Sequence, residues 1–282
     1  SSESEYFTEG VSTYESEAKR YYFDARESFD IGSPAAKMIA GITFDKEEYA
    51  GEDQTNFSGY ATLNFQDRFQ VGTRLSEDAR VYRVGYAVDG FFTNFSTSYR
   101  NPTLYQQYGD SWVQPNPNLE PEEGMGIEIG YFGVSLFAYD FDQNIDYDGS
   151  ISQYVNTGEY TTKGLRIKHN FVVPYGALRL KAGYTDTDQP RVPEYMGSLA
   201  YFASFGNTTT ELRWRGQFER EPGPWDGPSL EDVSSFDFVI SRKVSDKFEL
   251  SLTVQDLLDD VTEILPGYDV GGRKVLLTLQ YR

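Results

Sequence analysis

The chain of 282 residues contains no cysteine and one histidine, His169, which excludes several kinds of site. Without cysteine there is no disulfide framework and no thiolate metal site. A nucleophile–base pair that uses histidine would have only His169, and a histidine within a strand is usually structural. We therefore predict that the chain is not an enzyme and has no catalytic residues.

Basic charge and long apolar runs are also scarce. The chain has 25 Lys and Arg against 44 Asp and Glu, a net charge of −19. Such acidity predicts no nucleic-acid partner, because binding phosphates needs a basic surface. The mean hydropathy of −0.55 and the lack of a long apolar run exclude transmembrane helices. They leave open a transmembrane β-barrel, whose strands alternate apolar and polar residues.

Aromatic residues, in contrast, are abundant. They make up 16% of the chain, with 22 Tyr and 20 Phe. Aromatic girdles at the two membrane interfaces of a β-barrel would produce this composition. A soluble all-β protein rich in tyrosine explains the composition equally well.

The apolar residues recur with a period of two, which predicts about fifteen strands, the first at residues 19–31 and the last at 274–282. The connections alternate between short turns and long loops. The short turns are at 66–68, 89–90, 132–133, 174–176, 206–207 and 245–247, and the long loops at 100–124, 142–159, 186–196, 219–233 and 256–273. Short turns on one rim and long loops on the other are typical of outer-membrane barrels.

The alternation also assigns the two faces of the predicted wall. Leu180 is predicted to lie on the same face of its strand as Leu178, whereas Arg179 and Lys181 are predicted to lie on the opposite face. Arg or Lys facing lipid at the bilayer centre costs about 2–4 kcal/mol. We therefore predict that four cations face the lumen and that the neighbouring Leu and Trp side chains face lipid. These cations are Arg179, Lys181, Arg213 and Arg215.

One stretch carries a family resemblance. A strand at 91–100 ends in Tyr-Arg-Asn-Pro (99–102), and Asn-Pro-Asn-Leu-Glu-Pro-Glu (116–122) precedes the next strand at 126–131. This pattern resembles the late-barrel signature of TonB-dependent outer-membrane receptors, which usually have Ala where Asn101 stands. Residues 252–260 and the final strand are similar to the last two strands of these receptors. The resemblance covers residues 91–282, and residues 19–86 are compatible with it.

The resemblance implies an all-β fold: an antiparallel transmembrane β-barrel, with about 15 strands of a 22-stranded plugged barrel in the bacterial outer membrane. Residues 1–18 would be the remnant of an acidic surface loop, and residues 19–282 the C-terminal portion of the barrel. The plug domain and the earlier strands would lie in a preceding segment or a separate chain. The implied partners are the TonB complex, acting through that plug domain, and outer-membrane lipid. An aromatic would be expected one residue beyond Arg282, so whether the true C-terminus extends past Arg282 stays open.

A topological argument supports the prediction of a partial barrel. With fifteen alternating strands, the first and last strands run in the same direction. Bacterial single-chain barrels have an even number of strands and close in antiparallel fashion. An open edge in lipid would leave backbone groups unpaired, at a cost of several kcal/mol each. Further strands are therefore expected to cover both edges.

The implied function is TonB-dependent active uptake of a scarce, bulky ligand. No histidine lies between Arg100 and Leu119, which disfavours haem, since haem receptors usually place one there. Residues 144–148, residues 154–158 and Lys163-Gly164 are most similar to vitamin B12 (cobalamin) receptors, which predicts cobalamin as the ligand. Ferric-siderophore receptors share much of this pattern and remain an alternative. An autotransporter or porin-like barrel is the alternative from a different class, and a soluble β-rich binding module is the third.

The predicted ligand-binding groups are aromatic and amide side chains on the long loops, because loops on a rigid scaffold carry most binding groups. They are Tyr105, Gln107, Tyr108, Trp112, Tyr147, Tyr154, Asn156, Trp225 and Tyr268. We expect no metal site and no cofactor. The one alternative is Ca²⁺ bound by the carboxylates of Asp140, Asp142, Asp146 and Asp148, a run that is more often a solvated loop.

Overall fold

The computed structural model describes residues 2–8, 11–32, 35–223, 227, 229–260, 263–265 and 268–281, with backbone alone at 2–8, 11–17, 263–265 and 268–269. Within these residues no helix is long and apolar enough to span a bilayer. The chain divides into two compact units, one of Ser1–Ile129 and Ala138–Thr161, the other of Gly130–Phe137 and Thr162–Arg282.

The described residues of the first unit are almost entirely strands, joined by one short helix. The elements are β1 (Ser2–Thr8), β2 (Val11–Asp30), β3 (Ala36–Tyr49), β4 (Glu52–Phe65), β5 (Phe69–Ser76), β6 (Arg80–Val88), β7 (Phe91–Arg100), α1 (Leu104–Tyr108), β8 (Glu122–Tyr131), β9 (Val134–Asp142), β10 (Ile145–Asp148) and β11 (Gln153–Asn156). β8 and β9 continue into the second unit.

The second unit continues with β12 (Tyr160–Val173), β13 (Gly176–Thr187), β14 (Pro193–Phe205), β15 (Thr208–Arg220), β16 (Val233–Lys243), β17 (Phe248–Gln255), β18 (Glu263–Leu265), β19 (Tyr268–Asp269) and β20 (Lys274–Tyr281). The main sheet has the strand order β1 to β9, β12 to β17, then β20. β10 and β11 form a separate hairpin, as do β18 and β19.

The prediction of an all-β antiparallel sheet is confirmed, and each of the fifteen predicted strands is present in the main sheet. The sheet has a sixteenth strand, β1, whose pairing with β2 runs from Ser2↔Ala18 to Thr8↔Val11. Residues predicted to be a loop remnant thus contain β1 and the start of β2, because backbone ladder bonds form whatever the polarity of the side chains. That this hairpin belongs to a surface loop stays a prediction.

The sixteenth strand changes the topological argument. With sixteen antiparallel strands, the first and last strands run in opposite directions, so strand parity no longer excludes closure. The expectation that this chain does not close the barrel is nevertheless confirmed, since β1 and β20 do not pair with each other among the described residues. β1 and β20 stand at the two ends of the strand order.

Cross-strand register in the second unit sorts side chains into two faces. His169, Leu180, Leu199, Trp214 and Phe236 stand opposite one another on successive strands. One residue away, the row is Asn170, Arg179, Ala200, Arg213 and Asp237. The first row is mainly apolar and the second mainly polar. Because successive residues of a strand point to opposite faces, the two rows lie on opposite faces of the sheet. The predicted separation of Leu180 from Arg179 and Lys181 is therefore present in the sheet.

Contacts with neighbouring side chains hold the cations on the face of the second row. Arg215 Nη2 lies 2.6 Å from Asp237 Oδ2, and Arg213 is paired with Glu211. The Arg179 guanidinium lies 5.0 Å from the centre of the Phe202 ring, a cation–π arrangement. That this face is luminal stays a prediction, as does the lipid exposure of the other.

Candidate functional site

The candidate site lies in the first unit, in two chain segments that we call the joined loops: residues 101–121, between β7 and β8, and residues 143–159, between β9 and β12. The first segment begins with a well-capped turn of helix. Thr103 accepts a hydrogen bond from the Gln106 backbone N–H, and the Gln106 side chain accepts one from the Thr103 N–H. This reciprocal capping box fixes the start of α1.

A tight turn follows α1 at Gly109. Its φ of 61° is left-handed, and a Cβ there would lie 2.0 Å from the Val113 carbonyl oxygen. The Asp110 carboxylate then accepts hydrogen bonds from the N–H groups of Trp112 and Val113, at 2.7 and 2.9 Å. These bonds turn the chain so that Val113 is buried while Trp112 is 74% exposed.

A small apolar core anchors the joined loops. Leu104, Val113 and Leu119 from the first segment and Ile145 from the second are all buried. Burying such a side chain contributes about 1.5–3 kcal/mol, so the loops have their own source of stability.

Four tyrosines form a continuous edge-to-face series through the joined loops. Tyr49, at the end of β3, lies 5.7 Å from Tyr105, which lies 6.1 Å from Tyr154, which in turn lies 5.4 Å from Tyr147. The Tyr49 hydroxyl donates to the Gly109 carbonyl at 3.0 Å. Edge-to-face pairs contribute about 0.5–1.5 kcal/mol each beyond the area they bury. We call this series the tyrosine ladder.

One phenol of the ladder, that of Tyr154, has a shifted pKa. Partial burial raises the pKa of the Tyr154 phenol, and the neighbouring Tyr147, Asp146 and Asp110 raise it further. The phenol therefore stays protonated at neutral pH. In the hairpin turn beside it, hydrogen bonds from the Ser150 side chain and backbone hold the pKa of Asp148 below its ordinary value.

Side-chain amides tie the two segments together. Asn116 Nδ2 donates to the Tyr154 carbonyl at 2.8 Å. Asn156 accepts from the Glu120 N–H at 2.9 Å and donates to the carbonyls of Glu120 and Gln143 at 2.9 and 2.8 Å. These bonds join the ends of both segments.

Further hydrogen bonds join the two segments close to these amides. The Gln114 N–H donates to the Ser152 carbonyl at 2.7 Å, and Gln114 pairs with Gln153 in an isolated parallel bridge. The Gln153 side chain donates to the Pro115 carbonyl at 2.7 Å. Glu122, which is paired with Arg100, also accepts from the Ile145 N–H at 2.8 Å.

The structure brings together four of the predicted binding residues: Tyr105, Tyr147, Tyr154 and Asn156. Tyr108 and Gln107 lie on α1, both half-buried, and the Gln107 carbonyl accepts from the Asn116 N–H. Trp112 stands exposed at the tip. Trp225 lies outside the described residues, as does the side chain of Tyr268, whose backbone forms part of β19. Their role in ligand binding stays a prediction.

Sequence analysis missed Tyr49 and Asn116. Tyr49 is distant from the loops in sequence, at a strand end, and nothing in a period-two pattern marks it as a contact of Gly109. Asn116 lies inside the family pattern between Pro115 and Pro117, and these prolines predict a rigid loop without indicating a role for the amide. An amide followed by proline inside a long loop is the feature that could have indicated it.

The four carboxylates considered for Ca²⁺ are held separately. Asp140 accepts from the Thr161 hydroxyl, while Asp142, Asp146 and Asp148 accept from the backbone N–H groups of Gln143, Tyr147 and Ser150. In the described part of the chain, no three Asp, Glu or His side chains are grouped to hold a metal ion. Calcium binding stays an untested alternative.

Below the first segment, the polar residues of the sheet line a cavity of about 440 Å³. Asn101, Pro102 and Thr103 form part of its edge, and three cations reach it: Arg20, Arg74 and Arg100. Arg20 is paired with Asp45 at 2.6 Å, and Arg100 with Glu122, so two of the three charges are compensated.

Comparison with protein families identifies the chain. Residues 4–257 match the family model described as TonB dependent receptor-like, beta-barrel. This chain belongs to the TonB-dependent receptor barrel family. It is thus a bacterial outer-membrane β-barrel chain, in a family of transport receptors.

Individual relatives support the family without deciding the ligand. The vitamin B12 transporter BtuB of Vibrio cholerae serotype O1 is 24% identical over 242 residues, which is 79% of this chain and 39% of that protein. The siderophore receptor PirA from Pseudomonas aeruginosa superposes with a TM-score of 0.70 at 15% identity, covering 95% of this chain and 56% of the other. The copper transporter OprC gives a TM-score of 0.72 at 14% identity, covering 95% and 57%. The chain thus spans from 39% to 57% of the length of these relatives.

Proposed function

We propose that this chain is part of a receptor that takes up a scarce, bulky ligand across the outer membrane, and that the joined loops bind this ligand. The observation that carries the proposal is the tyrosine ladder, in loops that also contain buried apolar residues and the exposed Trp112. Tyr and Trp provide a large contact area with a hydrogen-bonding tip. A rigid aromatic surface of this kind suits a large ligand with both apolar and polar groups.

The charge of the joined loops favours cobalamin as that ligand. Residues 101–121 and 143–159 contain five carboxylates and neither Lys nor Arg. An anionic ligand would be repelled, whereas a ligand rich in neutral amides would find matching Tyr, Asn and Gln groups. Cobalamin carries several neutral amide arms on its macrocycle, and the vitamin B12 transporter is among the similar proteins.

A ferric siderophore is the second candidate, and the arginines of the polar cavity favour it. Tris-catecholate complexes of iron are anionic, and Arg20, Arg74 and Arg100 line the cavity below the first segment. The pairing of two of these arginines with carboxylates weakens their attraction for an anion, so we place this candidate second.

Uptake would require parts beyond this chain. Since the relatives are longer, we propose that a plug domain and further barrel strands complete the receptor, supplied by another segment or a separate chain. The TonB complex would act on that plug domain to provide the energy.

Binding of cyanocobalamin and of ferric enterobactin to outer-membrane vesicles carrying the complete receptor tests the proposal. We expect saturable binding of cyanocobalamin and a loss of about tenfold or more in affinity when Tyr105, Tyr108 and Trp112 are replaced together by Ala, because aromatic anchors dominate such interfaces. Tyr175→Ala, which removes an exposed aromatic from the short turn between β12 and β13, is the matched control and should bind normally. Preferential binding of ferric enterobactin would favour the second candidate, and unchanged affinity of the triple variant would exclude the joined loops as the binding surface.

A further inference from the structure

We propose that the joined loops act as one preformed body and that Asn156 is the positioning residue that holds them in register. This inference rests on the proposed function, since it assigns the geometry of that same binding surface. In this proposal the aromatic side chains touch the ligand. Asn156 does not touch it and acts by holding the backbone that carries the tyrosine ladder.

The case for Asn156 begins with the completeness of its bonding. Its side chain has one carbonyl oxygen and one NH₂ group. The oxygen accepts from the Glu120 N–H, and the NH₂ group donates to the carbonyls of Glu120 and Gln143. Both donors of the amide are used, and two of the three bonds cross from one segment to the other. No Asp, Ala or Ser can reproduce this pattern, because it needs a donor pair and an acceptor on one planar group.

The bonds of Asn156 act on backbone that leads directly to the ladder. Asn156 lies two residues after Tyr154, and Glu120 lies four residues after Asn116, whose amide donates to the Tyr154 carbonyl. The two asparagines thus hold the same pair of chain segments at two points. Tyr154, whose carbonyl accepts one of these bonds, lies 6.1 Å from Tyr105 in the ladder.

How firmly the two segments are held together affects the affinity of the receptor for its ligand. If the segments separate, Tyr105 and Tyr154 keep the arrangement that binds the ligand for only a fraction of the time. The apparent affinity then falls in proportion to that fraction. Loss of three hydrogen bonds, two of them between the segments, is expected to weaken ligand binding about tenfold.

The chain provides a matched control in Asn144. It lies in the same hairpin as Asn156, but its side chain donates to the Thr157 hydroxyl at 3.2 Å, within its own segment. Asn144→Ala therefore removes the same kind of group without removing a bond between segments. Asn116→Ala, which removes the bond to the Tyr154 carbonyl, is a second test variant with a smaller expected effect.

The experiment measures hydrogen exchange of residues 107–121 and cyanocobalamin affinity, both on the complete receptor in outer-membrane vesicles. Asn156→Ala should increase exchange in this segment and weaken binding about tenfold, and Asn144→Ala should change exchange in this segment by less than about twofold. Because the chain has no cysteine, a single disulfide can then be introduced by Gln114→Cys and Gln153→Cys, at the parallel bridge. Added to Asn156→Ala, it should restore slow exchange and tight binding when oxidised and lose both on reduction.

Each outcome has a defined meaning. Unchanged exchange in Asn156→Ala would overturn the proposal. Restored exchange without restored affinity would also overturn it, by showing that Asn156 contacts the ligand directly. If the unmodified receptor binds no cyanocobalamin, the proposed ligand is wrong, and the exchange measurements alone decide whether Asn156 holds the segments together.

Discussion

The strands β12 to β17 and the joined loops are built on different principles. In the strands, rows of cross-strand neighbours such as Leu180, Leu199 and Trp214 share one face, and the neighbouring row with Arg213 and Asp237 shares the other. In the joined loops, single side chains such as Asp110 and Asn156 each fix a particular piece of backbone. The strands tolerate change that keeps the pattern, whereas the loops depend on the identity of individual residues.

The largest expected effect comes from breaking the pattern of the strands. Leu180→Arg places a cation in the apolar row between His169 and Leu199, which we predict to face lipid. The free energy of unfolding in lipid vesicles should fall by about 2–4 kcal/mol, with the upper value at the bilayer midplane.

Lys181→Leu is the control, since it changes a residue on the polar face and should cost less than about 1 kcal/mol. Cysteine variants sharpen the comparison, because the chain has no cysteine of its own. Position 180 should react with a lipid-phase probe and position 181 with a membrane-impermeant reagent. The reverse pattern would show that the two faces are assigned the wrong way round.

The next effect comes from a single backbone position in the joined loops. Gly109→Ala adds a Cβ within 2.0 Å of the Val113 carbonyl oxygen, at a φ of 61° that L residues rarely adopt. The strained backbone alone costs about 1–3 kcal/mol, and the clash displaces the turn that exposes Trp112. Cyanocobalamin binding should be largely lost while the heat-modifiable gel migration of the receptor is retained.

Gly59→Ala is the matched control for that variant. Gly59 lies in β4, and a Cβ there would meet nothing within 4 Å. It should bind ligand normally. Equal behaviour of the two alanine variants would argue against a special role for the Gly109 turn.

The strands and the loops were not equally predictable from the sequence. Alternation is a local property, so it predicts every strand from β2 to β9 and from β12 to β17, and also β20. β1 was missed because Ser and Glu in its sequence offer no apolar period. α1 and the β10–β11 hairpin are short elements inside long loops, where no apolar period indicates them, although the Thr103–Gln106 capping box is itself local. The contact of Tyr49 with Gly109 could not be predicted, because it joins residues far apart in the chain.

A smaller loss of stability is expected when a single polar contact made by a strand residue is removed. Asp237 Oδ2 lies 2.6 Å from Arg215 Nη2, and Asp237 Oδ1 accepts from the Asp256 N–H at 3.2 Å. Asp237→Ala should lower the free energy of unfolding by about 1–2 kcal/mol, because the buried Asp256 N–H loses its acceptor while the Arg215 side chain is half exposed to water. Asp246→Ala, in the exposed turn before β17, should stay within about 0.5 kcal/mol. A larger loss from Asp246→Ala would contradict this account.

The smallest effect is a dependence of the joined loops on pH. Hydrogen bonds from the Ser150 hydroxyl and N–H hold the pKa of Asp148 below its ordinary value. A carboxyl whose pKa is lowered on folding stabilises the fold above its ordinary pKa, and this stabilisation is lost as the pH falls through the lowered value. Acidification should therefore loosen the turn between β10 and β11, and hydrogen exchange at Ser150 and Ile151, corrected for the intrinsic effect of pH, should rise. Asp148→Asn keeps an acceptor oxygen but cannot titrate, so its corrected exchange should not vary with pH in this range. If Asp148→Asn responds to acid as the original chain does, another carboxylate is responsible, and the turn is held by more than the single side chain that the structure assigns to it.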